Sequence, residues 1–203
     1  QHPLQERIST GLRTLDELTG GGYWRGSCVL ITGTSGTGKT TLASTFAAAA
    51  AQRGEQVLYV CYEEAPDVVL SAMGRVGIDL REHHAAGRLR TLARMPEGLG
   101  VERHLYDIFC EMEACRPEHL IVDAVSACRR MGSPQAAFDF LVRLLTHCKS
   151  RGITCVYTNQ TTEAAEYLDP RGIGIASLVD TLVQLRLDTR AGTPERTLQI
   201  VKS

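Results

Sequence analysis

The sequence predicts an α/β fold in which helices cover both faces of a mainly parallel central sheet, with an antiparallel hairpin at the C-terminus. Three observations lead to this prediction. Short apolar runs rich in β-forming residues alternate with longer helix-forming segments, which is typical of strand–helix–strand units. The strands this alternation implies are enclosed by helices, as parallel sheets usually are. Two strand-like segments, 181–187 and 196–201, flank the polar stretch 188–195, which indicates a hairpin.

The individual elements follow from local signals in chain order. Strands are predicted at residues 27–32, 57–61, 88–92, 119–123 and 153–158, and helices at 39–53, 66–76, 101–115 and 134–150. The first helix is rich in alanine and ends before Gly54, and Pro66 stands at a permitted first-turn position. His83 and His84 fall in a polar stretch and are expected to face solvent.

Composition and charge limit the class of protein. The 203 residues suit one compact domain over residues 1–203, of which 1–26 form a lead-in segment and 27–203 the core, which we expect to be truncated after the last strand. The 22 basic and 23 acidic residues give a net charge of -1, which argues against a strongly basic nucleic-acid coat. No apolar run reaches the roughly 18 residues that span a bilayer, so no membrane partner is expected.

The chain ends and the cysteines indicate a compartment. Residues 1–4 lack a basic region followed by an apolar stretch, so no secretion signal is predicted, and the start without Met suggests a piece of a longer protein. The cysteine count is 7, with scattered spacing and no CxxC pattern. These features favour a reducing, cytoplasmic location without disulfides and without a zinc site.

One glycine-rich segment, residues 33–40, reads GTSGTGKT and matches the phosphate-loop pattern GxxxxGK[ST] in full. A predicted strand precedes it and a predicted helix begins at Lys39, which disfavours a glycine turn that binds nothing. Glycines let backbone N–H groups turn toward phosphate oxygens, and the helix N-terminus adds partial positive charge. Lys39 is expected to reach the β- and γ-phosphates of ATP as a catalytic cation, and Thr40 to bind Mg²⁺. The predicted nucleotide-binding residues here are Thr34, Ser35, Gly36, Thr37, Gly38, Lys39, Thr40 and Thr41.

Polar side chains follow three other predicted strands. Asp123 ends one strand, where a phosphate-loop protein holds its metal ion through a water molecule. Glu63 and Glu64 follow the strand at 57–61, and one of them is expected to orient a water molecule or take its proton for attack on the γ-phosphate. Asn159 ends the strand at 153–158 and is a candidate sensor of the γ-phosphate, although a simple turn residue fits it equally well.

The order of these motifs resembles the KaiC-type domains of the RecA superfamily of P-loop ATPases. The resemblance covers nearly the whole chain and includes the segments RISTGL at 7–12, LDEL at 15–18 and GGG at 20–22, the phosphate loop, YEE at 62–64, IVD at 121–123 and TNQ at 158–160. The phosphate loop alone indicates only a nucleoside triphosphatase (NTPase). The lead-in motif and the paired glutamates make the resemblance more specific.

The resemblance implies an ATPase that forms six-membered rings with ATP between neighbouring subunits and that acts as a timer, switch or signalling module with protein partners. By the same resemblance, Thr40 and Asp123 serve Mg²⁺, and Glu63 and Glu64 are the catalytic glutamates. Lys202 matches a lysine that reaches a neighbour's γ-phosphate, but the chain stops at Ser203, before the arginine that relatives carry. An arginine acting in trans contributes on the order of 10³–10⁵ in rate, so we expect slow hydrolysis and poor assembly.

The resemblance also raises serine/threonine autokinase activity. The segment 175–181 corresponds to one that receives phosphate across the subunit boundary in the clock kinase, with Ala176 in place of one acceptor and Ser177 as the remaining candidate phosphoacceptor. The alternative is that Ser177 merely begins a strand.

Two other classes remain open at this point. A RecA- or DnaB-like DNA-handling ATPase needs a basic, aromatic-rich surface, which a net charge of -1 and 5% aromatic residues do not favour, so nucleic acid is not an expected partner. A nucleotide-binding scaffold that never hydrolyses ATP is disfavoured because Glu63, Glu64 and Asp123 are present.

Overall fold

The computed structural model describes residues 6–161, 175–190 and 193–203. The prediction made on residues 1–4 and the tip of the predicted hairpin, 191–192, lie outside the described residues. Within the described ranges the strands are β1 (Arg7–Ile8), β2 (Tyr23–Trp24), β3 (Cys28–Gly33), β4 (Val57–Cys61), β5 (Leu89–Ala93), β6 (His119–Asp123), β7 (Thr154–Gln160), β8 (Thr181–Arg190) and β9 (Thr193–Lys202). The α-helices are α1 (Arg13–Thr19), α2 (Lys39–Gln52), α3 (Pro66–Arg75), α4 (Leu80–Ala85), α5 (Val101–Cys115) and α6 (Pro134–Ser150), and 3₁₀ helices span Val125–Met131 and Ile175–Ser177.

Seven strands form one sheet in the order β5-β4-β6-β7-β3-β8-β9. All pairs in this sheet are parallel except β8 with β9, which form an antiparallel hairpin. The predicted fold class, a RecA-like P-loop α/β fold, is therefore confirmed. Because β3, β4, β6 and β7 run in the same direction, their carboxyl ends meet at one edge of the sheet, which we call the carboxyl edge. The opposite edge is the amino edge.

Side chains alternate between two apolar layers along the buried strands. On one face, Leu30 and the strand residues that point to the same side of the sheet pack with α5 and α6. On the other face, Ile31 and the strand residues that point to that side pack with α2, α3 and α4. Since the phosphate loop leads directly into α2, the α2 face of the sheet is the one that lies under the loop.

Two sequence-based expectations need correction. The strand predicted at 153–158 spans Thr154–Gln160, so Asn159 lies within β7 and not beyond it. The polar stretch before Gly87 contains α4, and His83 on this helix is buried, whereas it was expected to face solvent. A six-residue helix offers too few turns for apolar periodicity to stand out.

The lead-in segment forms a small unit of its own. Strands β1 and β2 pair antiparallel, and the Arg7 guanidinium lies 4.1 Å from the centre of the Trp24 ring. The Asp16 carboxylate accepts hydrogen bonds from Ser9 Oγ at 2.6 Å and from Thr10 N and Oγ1 at 2.7 Å each. Burial raises the pKa of Asp16, but these hydrogen bonds outweigh it and leave the pKa below its ordinary value. The boundary at residue 26 stays a prediction.

Two findings concern the whole described chain. None of the helices in the described ranges has the length and apolar character that crossing a membrane requires. All seven cysteines are free thiols, and five of them are buried: Cys28, Cys61, Cys128, Cys148 and Cys155.

Candidate functional site

The phosphate loop connects the carboxyl end of β3 to the first turn of α2. Gly36 and Gly38 have φ angles of 78° and 102°, in the left-handed region that favours glycine. No described atom lies within 4 Å of where a Cβ would stand on either residue, so the left-handed backbone conformation, and not crowding, is what favours glycine at both positions. Gly33 is required for a different reason: a Cβ there would lie 2.5 Å from the Leu185 carbonyl oxygen of β8.

Two side chains of the loop donate hydrogen bonds to one of its own carbonyl groups. Lys39 is 9% exposed, and its Nζ donates a hydrogen bond to the Thr34 carbonyl at 2.7 Å. Thr37 Oγ1 donates to the same carbonyl at 2.9 Å. At the start of α2, no side chain among the described residues caps the helix, so its first N–H groups point into the loop. An anion in the loop would meet these amides, the positive end of the helix dipole and the Lys39 ammonium.

Asp123 lies at the carboxyl end of β6 on the α2 face of the sheet. Both of its carboxylate oxygens accept hydrogen bonds from hydroxyl groups: Oδ2 from Tyr59 at 3.1 Å and Oδ1 from Thr158. The Tyr59 hydroxyl also lies 3.3 Å from Ser44 Oγ on α2. Asp123 is therefore an oriented acceptor at the edge where the phosphate loop lies.

The strand register brings Glu63, the first of the two glutamates predicted to be catalytic, beside Asp123. Cys61 of β4 is the partner of Asp123 in β6, and the Tyr62 N–H donates to the Asp123 carbonyl at 2.8 Å. Glu63 is the next residue. Strands β3 and β4 follow one another in the sequence, but β6 and β7 lie between them in the sheet. The expected nearness of Glu63 to the phosphate loop therefore does not follow from the order of the strands along the chain.

The electrostatic surroundings distinguish Glu63. Partial loss of hydration and the negative charge of Asp123 raise the pKa of the Glu63 carboxyl above its ordinary value. The positive charges of Arg130 and Lys39 oppose this shift. A carboxylate with a raised pKa is a stronger proton acceptor, which is the property a general base needs. Glu64 is exposed like Glu63.

The donors at this edge fit Mg²⁺ and a nucleotide triphosphate. Thr40 offers a hydroxyl oxygen, which Mg²⁺ accepts as a ligand, and the Asp123 carboxylate could hold the ion through a water molecule, which leaves the remaining positions to water and phosphate. In the described ranges no group of three or more His, Cys, Asp or Glu residues could hold a metal ion by itself. The backbone amides of the loop and of the first turn of α2 fit the phosphates of a nucleotide.

Asn159 lies on the other face of the sheet. Thr158 bonds to Asp123 on the α2 face, so the next residue of β7 points toward the α5 and α6 layer. Asn159 is 2% exposed, and its Oδ1 has no hydrogen-bond partner among the described residues. Its role as a γ-phosphate sensor stays a prediction, and the residue that shares the face of Asp123 is Thr158.

Lys202 and Ser177 both lie at the far end of the molecule from the phosphate loop. Ser177 belongs to the 3₁₀ helix before β8, and β8 starts at the amino edge, where Thr181 is the partner of Val29. Lys202 Nζ donates to the Val179 carbonyl at 2.6 Å. Neither residue is near the loop of its own chain, so any nucleotide they contact belongs to another chain.

Sequence reasoning missed the roles of three hydroxyl residues near Asp123: Ser44, Tyr59 and Thr158. Thr158 belongs to the segment 158–160 but was given no role there, and no motif contains Ser44 or Tyr59. A weak signal existed, because Tyr59 is the one residue with a hydroxyl group in the otherwise apolar strand 57–61.

The chain was compared with known proteins. The family model described as the KaiC ATPase matches residues 8–203. The circadian clock protein KaiC2 of Synechocystis sp. is 37% identical over 201 residues, which cover 98% of this chain and 35% of that protein. The circadian clock oscillator protein KaiC of Thermostichus vulcanus is 33% identical over 202 residues, which cover 100% of this chain and 39% of that protein. The chain thus spans little more than a third of the length of these relatives.

Proposed function

The chain belongs to the KaiC ATPase family, and from that premise we propose that it binds ATP together with Mg²⁺ and hydrolyses it. The observation that carries the proposal is the meeting of the phosphate loop, Asp123 and Glu63 at one edge of the sheet. The negative charge of Asp123 raises the pKa of Glu63 and the positive charge of Lys39 opposes this shift, which supports a shared site at this edge.

Each residue has a role that its surroundings support. The backbone N–H groups of the loop and of the first turn of α2 hold the phosphates, and Lys39 exchanges the Thr34 carbonyl for phosphate oxygens. Thr40 and Asp123 hold the magnesium ion, which neutralises phosphate charge when bound. Glu63 accepts the proton of the attacking water molecule, and Glu64 supports it.

The proposal extends to assembly, because Ser177 and Lys202 lie at the amino edge. In a ring of subunits, that edge of one chain faces the nucleotide of the next, and Ser177 is then the candidate acceptor of a γ-phosphoryl group in an autokinase reaction. The relatives are named circadian clock proteins, so a timing or signalling role with protein partners is part of the proposal.

Two variants separate binding from chemistry. Lys39→Ala removes the buried ammonium, and we expect ATP affinity, measured by calorimetry with Mg²⁺, to fall by at least about 10-fold, as losing a contact worth more than about 1.4 kcal/mol would cause. Glu63→Gln keeps the shape but removes the base, and we expect unchanged ATP affinity with turnover lower by about 10²–10⁴. Glu82→Gln, an exposed change on α4, is the control.

Three results would contradict the proposal. Unchanged affinity in Lys39→Ala would remove the loop as the nucleotide site. Undiminished turnover in Glu63→Gln would remove this residue from the chemistry. ATP binding by the unaltered chain without any turnover would leave only a nucleotide-binding scaffold.

A further inference from the structure

A buried line of two hydroxyl groups, those of Ser44 and Tyr59, leads from helix α2 to Asp123, one of the two residues proposed to hold the metal ion. Ser44 lies four positions after Thr40 on α2, so both side chains project from the same helical face, one turn apart. Tyr59 of β4 is 1% exposed, and its hydroxyl lies between Ser44 Oγ at 3.3 Å and Asp123 Oδ2 at 3.1 Å. The line therefore runs from the helix that carries Thr40 to the strand that carries Asp123.

The direction of the hydrogen bonds follows from the chemistry of the groups. An ionised carboxylate only accepts, so the single proton of the Tyr59 hydroxyl goes to Asp123. Ser44 must then donate its own proton to the Tyr59 oxygen.

We propose that Tyr59 is a positioning residue for the metal site, which fixes the Asp123 carboxylate relative to α2 and Thr40 through its paired hydrogen bonds. Thr158 holds the other carboxylate oxygen, so rotation of the carboxylate is restrained from both sides. Partners that orient a metal ligand in this way typically contribute 10- to 100-fold in metal affinity. This inference rests on the proposed function, because it concerns the ion that accompanies ATP.

The test is a metal titration, with Tyr59→Phe as the variant. Tyr23→Phe is the matched control, because Tyr23 is also 1% exposed, packs against α2 through Phe46 with ring centroids 5.4 Å apart, and has a hydroxyl without a partner among the described residues. Mn²⁺ is titrated into each chain in the presence of a non-hydrolysable ATP analogue, with the chain in excess, and free Mn²⁺ is read from its electron paramagnetic resonance signal. Binding of the analogue is measured separately in EDTA.

We expect Tyr59→Phe to weaken Mn²⁺ binding about 10-fold or more, while analogue affinity in EDTA stays within about twofold of the unaltered chain. Tyr23→Phe should change neither quantity. Ser44→Ala breaks only the outer bond of the line and should weaken Mn²⁺ binding less than Tyr59→Phe. It also keeps the test decisive if the phenylalanine variant does not fold.

Equal Mn²⁺ affinity in Tyr59→Phe and Tyr23→Phe overturns the inference. A loss of analogue binding in EDTA as large as the loss of Mn²⁺ binding also overturns it, because the hydroxyl would then support the fold and not the metal. Failure of the proposed function looks different, since the unaltered chain would bind no analogue at all.

Discussion

Gly33 shows how one residue can determine the phosphate loop. A Cβ on this residue would lie 2.5 Å from the Leu185 carbonyl oxygen and 2.7 Å from Thr37 Oγ1, closer than Cβ atoms come to other heavy atoms in folded proteins. We expect Gly33→Ala to lower the free energy of unfolding by about 1–3 kcal/mol, because β8 or the loop must move. ATP affinity should fall as well, since Thr37 helps to close the loop.

The measurement is urea unfolding together with calorimetric ATP binding. Gly74→Ala is the matched control, because Gly74 lies in α3 with no described atom within 4 Å of an added Cβ and with an ordinary helical φ. That change should leave stability equal or slightly higher, since alanine is favoured by about 0.5–1 kcal/mol inside a helix. A Gly33→Ala chain as stable as the control would mean that the clash is relieved without cost.

At this scale the sequence predicts only what a contiguous motif contains. Residues 33–40 could be identified directly, because the spacing of glycines and lysine has one chemical purpose. The contacts of Tyr59 and Thr158 with Asp123, and of Ser44 with Tyr59, could not be predicted, because these residues come from a helix and two strands and only the strand register decides which side chains face the same way. Asn159 illustrates the same point, since a shift of one residue along β7 moves a side chain to the other face.

Glu55 joins three elements at the amino edge of the sheet. Its carboxylate accepts from Arg25 at 2.8 Å, from Arg53 at 2.8 Å and from the His119 ring at 2.9 Å, which links the end of β2, the turn after α2 and the start of β6. Burial raises the pKa of Glu55, but hydrogen bonds from these three residues outweigh it and lower the pKa to about 2. Burial of His119 lowers its pKa, so its ring is neutral at pH 7.

The pH dependence of stability follows from the direction of these shifts. Glu55 has a folded pKa below its unfolded value of 4.5, so its contribution is complete above pH 4.5 and is lost as the pH falls toward 2. We expect Glu55→Gln to lower the free energy of unfolding by about 1–3 kcal/mol at pH 7. The difference from the unaltered chain should shrink as urea unfolding is repeated from pH 5 to pH 3.

An exposed ion pair provides the control. Glu17 pairs with Arg13 on α1 with the two side chains 63% and 91% exposed, so Glu17→Gln should change the free energy of unfolding by less than about 0.5 kcal/mol at any of these pH values. A difference between Glu55→Gln and the unaltered chain that is constant from pH 5 to pH 3 would show that the Glu55 charge does not contribute through this network.

Elements were predictable in proportion to their length and to their apolar pattern. The strands at 57–61 and 119–123 and the helices at 101–115 and 134–150 have the predicted bounds, because each is a buried run or a long amphipathic segment between clear breakers. Helix α4 was missed although its N-cap signal was present: the Asp79 side chain accepts from the Glu82 N–H at 3.0 Å. Strands β1 and β2, of two residues each, carry too little pattern to be recognised.

The order of strands across the sheet is a property of the whole molecule and could not be predicted from local pattern. The chain passes from β3 to β4, yet β7 and β8 are the neighbours of β3. This order places β6, which ends in Asp123, between β4, which leads to Glu63, and β3, which leads to the phosphate loop. Ser177 lies at the amino edge and the phosphate loop at the carboxyl edge, so the candidate phosphoacceptor and the proposed nucleotide site of one chain lie at opposite ends of the parallel strands.

That separation predicts that phosphoryl transfer to Ser177 occurs only between chains. Strand β3 has six residues and rises roughly 3.3 Å per residue, so the two edges are more than about 15 Å apart, far beyond the reach of a serine side chain.

We expect a Ser177→Ala chain with an intact site to phosphorylate a Glu63→Gln chain that keeps Ser177, when the two are mixed with Mg-ATP. Neither chain alone should gain phosphate, as intact-mass measurement would show, because one lacks the acceptor and the other lacks the base. In the unaltered protein, the initial rate of Ser177 phosphorylation per chain should also fall on dilution, because assemblies dissociate. A rate per chain that does not depend on concentration would contradict transfer between chains. Phosphate gained by the Glu63→Gln chain on its own would contradict transfer by this site.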